Sequence, residues 1–274
     1  MMGSCGAMSA MMNWLPFRPK GPVVSVIRLQ GAIGAGGRGL DDAGIAAMIE
    51  RAFKRGKPAA VAIEINSPGG SPVQSALIAA RIRRLSEEKS VPVIAFVEDV
   101  AASGGYWLAS AADEIFVDRG SIMGSIGVIS AGFGAHVFLE RHGVERRVHT
   151  AGKSKSFLDP FRPQNPEDVA RLERWLGEMH DYFIDHVKSR RGAKLADDPD
   201  LFTGEIWIGA RAVEKGLADG IGHLVPVLEA RFGDKMRLRR YAKRRPLLSR
   251  IGAALAGETL GAIEERASFA RFGL

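Results

Sequence analysis

The chain has 274 residues, 46% of them hydrophobic and 25% charged, the balance of a globular protein with one substantial core rather than of a fibrous, disordered or bilayer-spanning chain. Its formal net charge of +7 bears on partners only through where the bases sit. A single cysteine, Cys5, excludes an intramolecular disulfide and a zinc site built on a thiol cluster, and it fits a reducing, cytoplasmic compartment.

The N-terminal stretch MMGSCGAMSAMMNWLPF has no basic region ahead of it, and Asn13 and Pro16 interrupt it well short of a membrane span. Residues 1–21 are expected to form a flexible arm. PVVSVIRL (Pro22 to Leu29) is rich in β-branched residues and reads as a strand. Beyond the glycine-rich GAIGAGGRG, Ile45, Met48, Ile49 and Phe53 recur at helical spacing. The alternation repeats with strand AAVAIEIN (Ala59 to Asn66), turn SPGGSP and helix VQSALIAARIRRLSEE. Strand VPVIAFVE (Val91 to Glu98) and a small-residue helix from Gly104 come next. EIFVD (Glu114 to Asp118) and RRVHT (Arg146 to Thr150) read as further strands. A long amphipathic helix is expected from Pro166 to about Arg190, with Leu172, Trp175, Leu176, Met179, Phe183 and Val187 on one face. LFTGEIWIGARAVEKGLADGIG reads as a hairpin or turn and a short helix capped by Gly216. Strands alternating with helices imply right-handed crossovers and a mostly parallel sheet, an α/β fold present in one copy, since no internal repeat is visible.

The core domain is expected over residues 22–232, and residues 233–274 as a basic, partly helical tail. Arg237 to Arg250 carries seven bases and no acid. A solvated tail is the plainer expectation. Docking of the tail on an anionic membrane surface is the sharper one, because clustered bases beside an apolar face suit anionic lipid.

Several motif-like patterns fail on spacing. Gly34, Gly36 and Gly39 form a G-x-G-x-x-G, but RLQGAI separates it from the strand end, too far to hold a pyrophosphate on a helix N-terminus. GKS at Gly152 to Ser154 lacks the glycine five positions before its Gly-Lys, where Arg147 stands. AASGG around Ser103 misses the G-x-S-x-G nucleophile elbow at Ala101, which withdraws the elbow as support for a hydrolase triad. The six histidines show no metal-ligand spacing, and none falls between Ser103 and Gly134 to serve as a nearby base.

NSPGGS (Asn66 to Ser71) and ASGGYW (Ala102 to Trp107) are two strand-to-helix turns that a parallel sheet sets side by side at its C-terminal edge, where ligands bind. Glycines there admit a substrate backbone and leave amide N–H groups free, and helix N-termini add partial positive charge. Tight βα turns need small residues in any case, so either motif alone is ambiguous.

Together with MGSIGVI (Met123 to Ile129), GKSKSFLDPF (Gly152 to Phe161) and TGEIWIGARAVEKGLADGIG (Thr203 to Gly222), these segments resemble the ClpP/crotonase superfamily and, within it, the signal peptide peptidase A (protease IV) family. The resemblance covers about Val23 to Val227. It implies a repeated β-β-α superhelix with a mostly parallel sheet. It also implies a serine endopeptidase with Ser103 as nucleophile, Lys155 as general base and Ser125 orienting the lysine amine. Lys155 is preferred over Lys153 because Gly152 precedes it and Pro160 follows at the family's spacing. The amides of Gly70 and Gly104 form the implied oxyanion hole, and Gly69, Ser71, Gly124, Ile126 and Gly127 the implied substrate-binding backbone.

A lysine acts as a base only when neutral, so this chemistry calls for an apolar pocket around the amine. No metal or organic cofactor is implied. The expected substrates are extended, largely apolar peptides such as signal peptides or membrane-protein fragments. The expected assembly is a ring-like homo-oligomer that shares the dyad between subunits and buries the long helix and the GSIGVI segment. No nucleic-acid partner is expected, and the location is cytoplasmic or peripheral at the inner face of the membrane. Two rivals stand beside this reading: a crotonase-type acyl-CoA enzyme, separable by an acyl-CoA binding assay, and a non-catalytic scaffold held at a membrane by its tail.

Overall fold

The structure, a computed structural model, describes residues 21–34, 39–152, 155–242 and 269–274. Cys5, Gly36, Lys153 and the bases from Lys243 to Arg250 lie outside the described residues. Strands β1 (Val23–Gln30), β2 (Ala60–Ser67) and β3 (Val93–Ala102) are the apolar runs read from the sequence. β2 and β3 are covered on both faces, which explains why their residues are almost continuously apolar rather than alternating. Between the three lie α1 (Asp42–Lys54), capped by the Asp41 carboxylate accepting from the Gly44 amide at 2.8 Å, and α2 (Pro72–Lys89), capped by Ser71. The chain continues through α3 (Gly104–Ser110), β4 (Glu114–Val117), β5 (Ile122–Gly124), α4 (His136–Arg141) and α5 (Pro166–Arg191). It then forms β6 (Ile206–Ile208), α6 (Ala210–Glu214), β7 (Gly220–Ile221), α7 (Leu224–Phe232) and β8 (Arg237–Tyr241).

The eight strands form one sheet in the order β6-β5-β3-β2-β1-β8, with β4 beside β3 and β7 beside β4. Every pairing is parallel except that of β5 with β6. β3 changes partner along its length: Ile94 to Val97 pair with β4, and Val100 to Ala102 pair with β5. This exchange brings the C-terminal ends of β3 and β5 together. The main core, with Ile27, Ile63, Ile78, Ile82 and Tyr106, holds the sheet to α1, α2 and α3, and each such buried side chain contributes about 1.5–3 kcal/mol. A second core on the opposite face joins Val24, Ile94 and Phe96 to Leu224 and Leu228 of α7.

Four readings of the sequence change. Arg146 to Thr150 form no strand; they are almost wholly exposed, because Val148 alone among arginines and a histidine offers no face to bury. Arg237–Tyr241 belong to the sheet rather than to a tail: β8 pairs in parallel with β1, Leu238 and Tyr241 pack inward, and Arg240 reaches Glu64 at 2.5 Å. The fold therefore continues past residue 232, and the arginines that read as a tail guard a sheet edge. On α5, Phe183 and Val187 are buried, but Trp175 and Met179 remain 46% and 38% exposed, because only the C-terminal half of the helix reaches the core. In GSIGVI, Ile126 is already fully buried within the chain, and exposure begins beyond it at Ile129.

Candidate active site

Ser103 occupies the junction of β3 and α3 with φ 51° and ψ −123°, a conformation that costs a non-glycine residue about 1–3 kcal/mol. This is a sharp strand-to-helix turn of the nucleophile-elbow kind. The missing glycine at Ala101 therefore does not remove the elbow. Close approach occurs instead at three other glycines. A Cβ on Gly69 would lie 2.8 Å from the Ser103 Cβ and 2.7 Å from the Gly104 nitrogen. One on Gly104 would strike the Ser75 hydroxyl, and one on Gly105 the Ser67 carbonyl. The NSPGG and SGG turns are thus packed backbone against backbone.

The orientation of their amides follows from the strand geometry. Ile33 bridges Gly70 in parallel, donating to the Gly69 carbonyl at 2.8 Å and accepting from the Ser71 amide at 2.8 Å, which turns the Gly70 N–H away from Ile33. Gly104 opens α3, so its N–H has no intrahelical acceptor. Among the described residues neither amide meets a hydrogen-bond partner. The other residues expected to bind substrate are largely committed within the chain. The Gly69 amide donates to the Ser67 hydroxyl at 3.2 Å, and the Ser71 hydroxyl caps α2. The Gly124 carbonyl accepts from the Ser103 amide at 2.8 Å, the Ile126 carbonyl accepts from His180 at 3.0 Å, and the Gly127 amide donates to the Ser125 carbonyl at 3.0 Å.

Ser125 follows Gly124 as Ser103 follows Ala102, and Ala102 and Gly124 are register partners, so the two serines end adjacent parallel strands. Ser125 is also strained, with φ 50°, and its amide donates to the Glu205 carbonyl at 2.7 Å. Lys155 lies in an exposed turn, its amide donating to the Gly152 carbonyl at 3.2 Å, and no hydrogen bond joins it to Ser103 or Ser125. The apolar pocket expected around its amine is not supplied by the described residues of a single chain.

The end of α5 clamps α3. Trp107 stacks on Phe183 and on His186, each with centroids 4.7 Å apart, and His186 Nε2 lies 3.0 Å from the Ser110 hydroxyl. Burial pushes His186 down to about 4, so the stacked ring is neutral. Arg190 donates to the carbonyls of Ser110 at 3.0 Å and Ala112 at 3.1 Å, capping the C-terminus of the helix that starts at Ser103. No sequence pattern marks Glu205, His180, His186 or Arg190 for these tasks, since their partners lie far away in the chain.

A model of peptidase family S49 matches residues 86–231, more than half of the chain and a span that holds Ser103, Ser125 and Lys155. The chain belongs to peptidase family S49. A putative signal peptide peptidase SppA of Enterococcus faecium is 31% identical over 170 residues, covering 62% of this S49 chain and 49% of that protein. A protein of Brucella melitensis named Na(+)/H(+) antiporter NhaA is 47% identical over 278 residues, covering 94% of the chain and 38% of that protein. The chain thus spans less than half the length of these relatives. The 1510-N membrane-bound stomatin-specific protease, solved as a lysine-to-alanine variant with a substrate peptide, matches with a TM-score of 0.52 at 14% identity, over 89% of this chain and 98% of that one. That likeness bears on the fold, which is α/β with a mostly parallel sheet. No helix among the described residues is long and apolar enough to cross a membrane.

Proposed function

We propose that this S49 chain is a serine-lysine endopeptidase acting on extended, largely apolar peptides. The observation that carries the reading is the strained Ser103 turn with two unpartnered amides, of Gly70 and Gly104, packed against it. In this mechanism Ser103 Oγ passes its proton to a neutral Lys155 amine and attacks the peptide carbonyl, and the two amides receive the oxyanion. Collapse breaks the C–N bond, the lysine returns the proton to the leaving amine, and water then releases the acyl group from Ser103. Ser125 orients the amine.

Lys155 comes from a neighbouring copy in a ring-like homo-oligomer. Its exposed position supports this, as do the uncovered apolar side chains of the stretch that follows Ser125, Ile129 at 69%, Phe133 at 94% and Phe138 at 60% exposure. Exposed Val73 and Leu77 at the start of α2 support an apolar substrate. Signal peptides and membrane-protein fragments have that chemistry.

A serine-directed fluorophosphonate tests the nucleophile. It should label the wild-type chain at Ser103 and leave Ser103→Ala unlabelled, whereas equal labelling of both would sink the reading. The bases from Lys243 to Arg250 suit a peripheral contact with anionic lipid. Replacing Lys243, Arg244, Arg245 and Arg250 by Gln should abolish low-salt binding to phosphatidylglycerol vesicles, and undiminished binding would exclude that role.

A further inference from the structure

α5 touches three segments of the proposed site. Its first turn meets the Lys155 segment, where the Asp168 carboxylate accepts from the Leu158 amide at 3.4 Å. Its last turns hold α3 through His186 and Arg190. Midway along it, His180 Nε2 lies 3.0 Å from the carbonyl of Ile126, the residue after Ser125. A carbonyl only accepts, so His180 presents Nε2–H, and the bond survives in both the neutral ring and the imidazolium.

The Ser125 backbone is costly to keep at positive φ, and three hydrogen bonds restrain it. Glu205 holds its amide from the β6 side. Gly127 closes a tight local turn on its carbonyl, which moves with the segment and cannot orient it. The third restraint is the His180 bond to the peptide carbonyl that follows. Past Ile126 the chain runs without regular structure to α4, so no strand ladder can take over that task.

We infer that His180 is a positioning residue for the proposed serine chemistry: through the Ile126 carbonyl it keeps the Ser125 hydroxyl aligned beside Ser103. The inference rests on the function proposed above and acts through Ser125. Without the donor, the Ser125 peptide relaxes toward negative φ and its hydroxyl leaves the line of the dyad, while substrate contacts at the NSPGG turn are untouched. The expected signature is a loss in turnover without a loss in substrate binding.

The test is peptide cleavage by purified full-length His180→Phe, which keeps a ring of similar volume but no donor, and His180→Gln, whose amide places a donor near the Nε2 position. His180→Phe should lower kcat about tenfold with KM within about twofold, and His180→Gln should recover most of the loss. In a Ser125→Ala background His180→Phe should cost nothing further, since both changes remove one alignment. If His180→Phe does not fold, His180→Met against His180→Gln makes the same comparison. A lowered melting temperature with kcat unchanged, a rise in KM alone, or a full additive loss in Ser125→Ala would overturn the inference. Ser103→Ala assayed beside them separates the two levels. Cleavage retained in that variant defeats the serine reading itself, whereas an inactive Ser103→Ala with fully active His180→Phe defeats only the role of His180.

Discussion

Ser103 holds a backbone conformation that its surroundings impose, and the constraint should be visible as stored strain. Glycine adopts φ 51° with little penalty, so Ser103→Gly is expected to be about 1 kcal/mol more stable than Ser103→Ala, with both inactive in cleavage of casein. Chemical denaturation of the two variants makes the comparison, and equal stabilities would mean that the turn is relaxed. His186 offers a second residue-scale check. The folded chain keeps it neutral down to about pH 4, whereas in the unfolded chain it takes up a proton near its ordinary value of 6.5. Its neutral form thus supports folding fully above pH 6.5, and that support is lost as pH falls from 6.5 toward 4, by up to about 1.4 kcal/mol per pH unit. His186→Phe retains the stack on Trp107 and should flatten that part of the stability profile; an unchanged slope would place the titration elsewhere.

At the scale of elements, β1, β2, β3, α1, α2 and the SGG helix were legible because each strand is a run of β-branched residues and each long helix has a cap and a repeating apolar face. The two glycine turns were legible because tight backbone approach excludes side chains, a demand that the sequence records directly. β8 was not legible, since its inward residues Leu238 and Tyr241 are outnumbered by the arginines that guard the edge. Nor was the uncovered half of α5, because helical spacing shows which residues share a face but not what lies opposite. The elbow was not legible for a related reason: the glycine that relieves crowding is Gly69, in the turn that follows β2. A chain ending at Ala242 is expected to be more stable than one ending at Asp234 by on the order of 3 kcal/mol, the packing of Leu238 and Tyr241 with the β1 ladder. Coincident thermal melts of the two chains would return β8 to the tail.

At the scale of the whole molecule, the single chain holds Ser103 in a strained turn and Lys155 exposed, with no hydrogen bond between them among the described residues. Exposed apolar residues between Ile129 and Phe138 and along the N-terminal half of α5 give a second copy a surface to cover. Enclosure by neighbouring copies would supply the apolar surroundings the amine needs and would admit only extended chains. Subunit exchange of the dyad is the central claim, and co-expression of Ser103→Ala with Lys155→Ala tests it most directly. Each variant alone should be inactive, while mixed oligomers contain interfaces with an intact serine facing an intact lysine and should recover a fraction of wild-type cleavage. Mixed oligomers that form, as a tagged pull-down would establish, and yet cleave nothing would contradict a dyad shared between subunits.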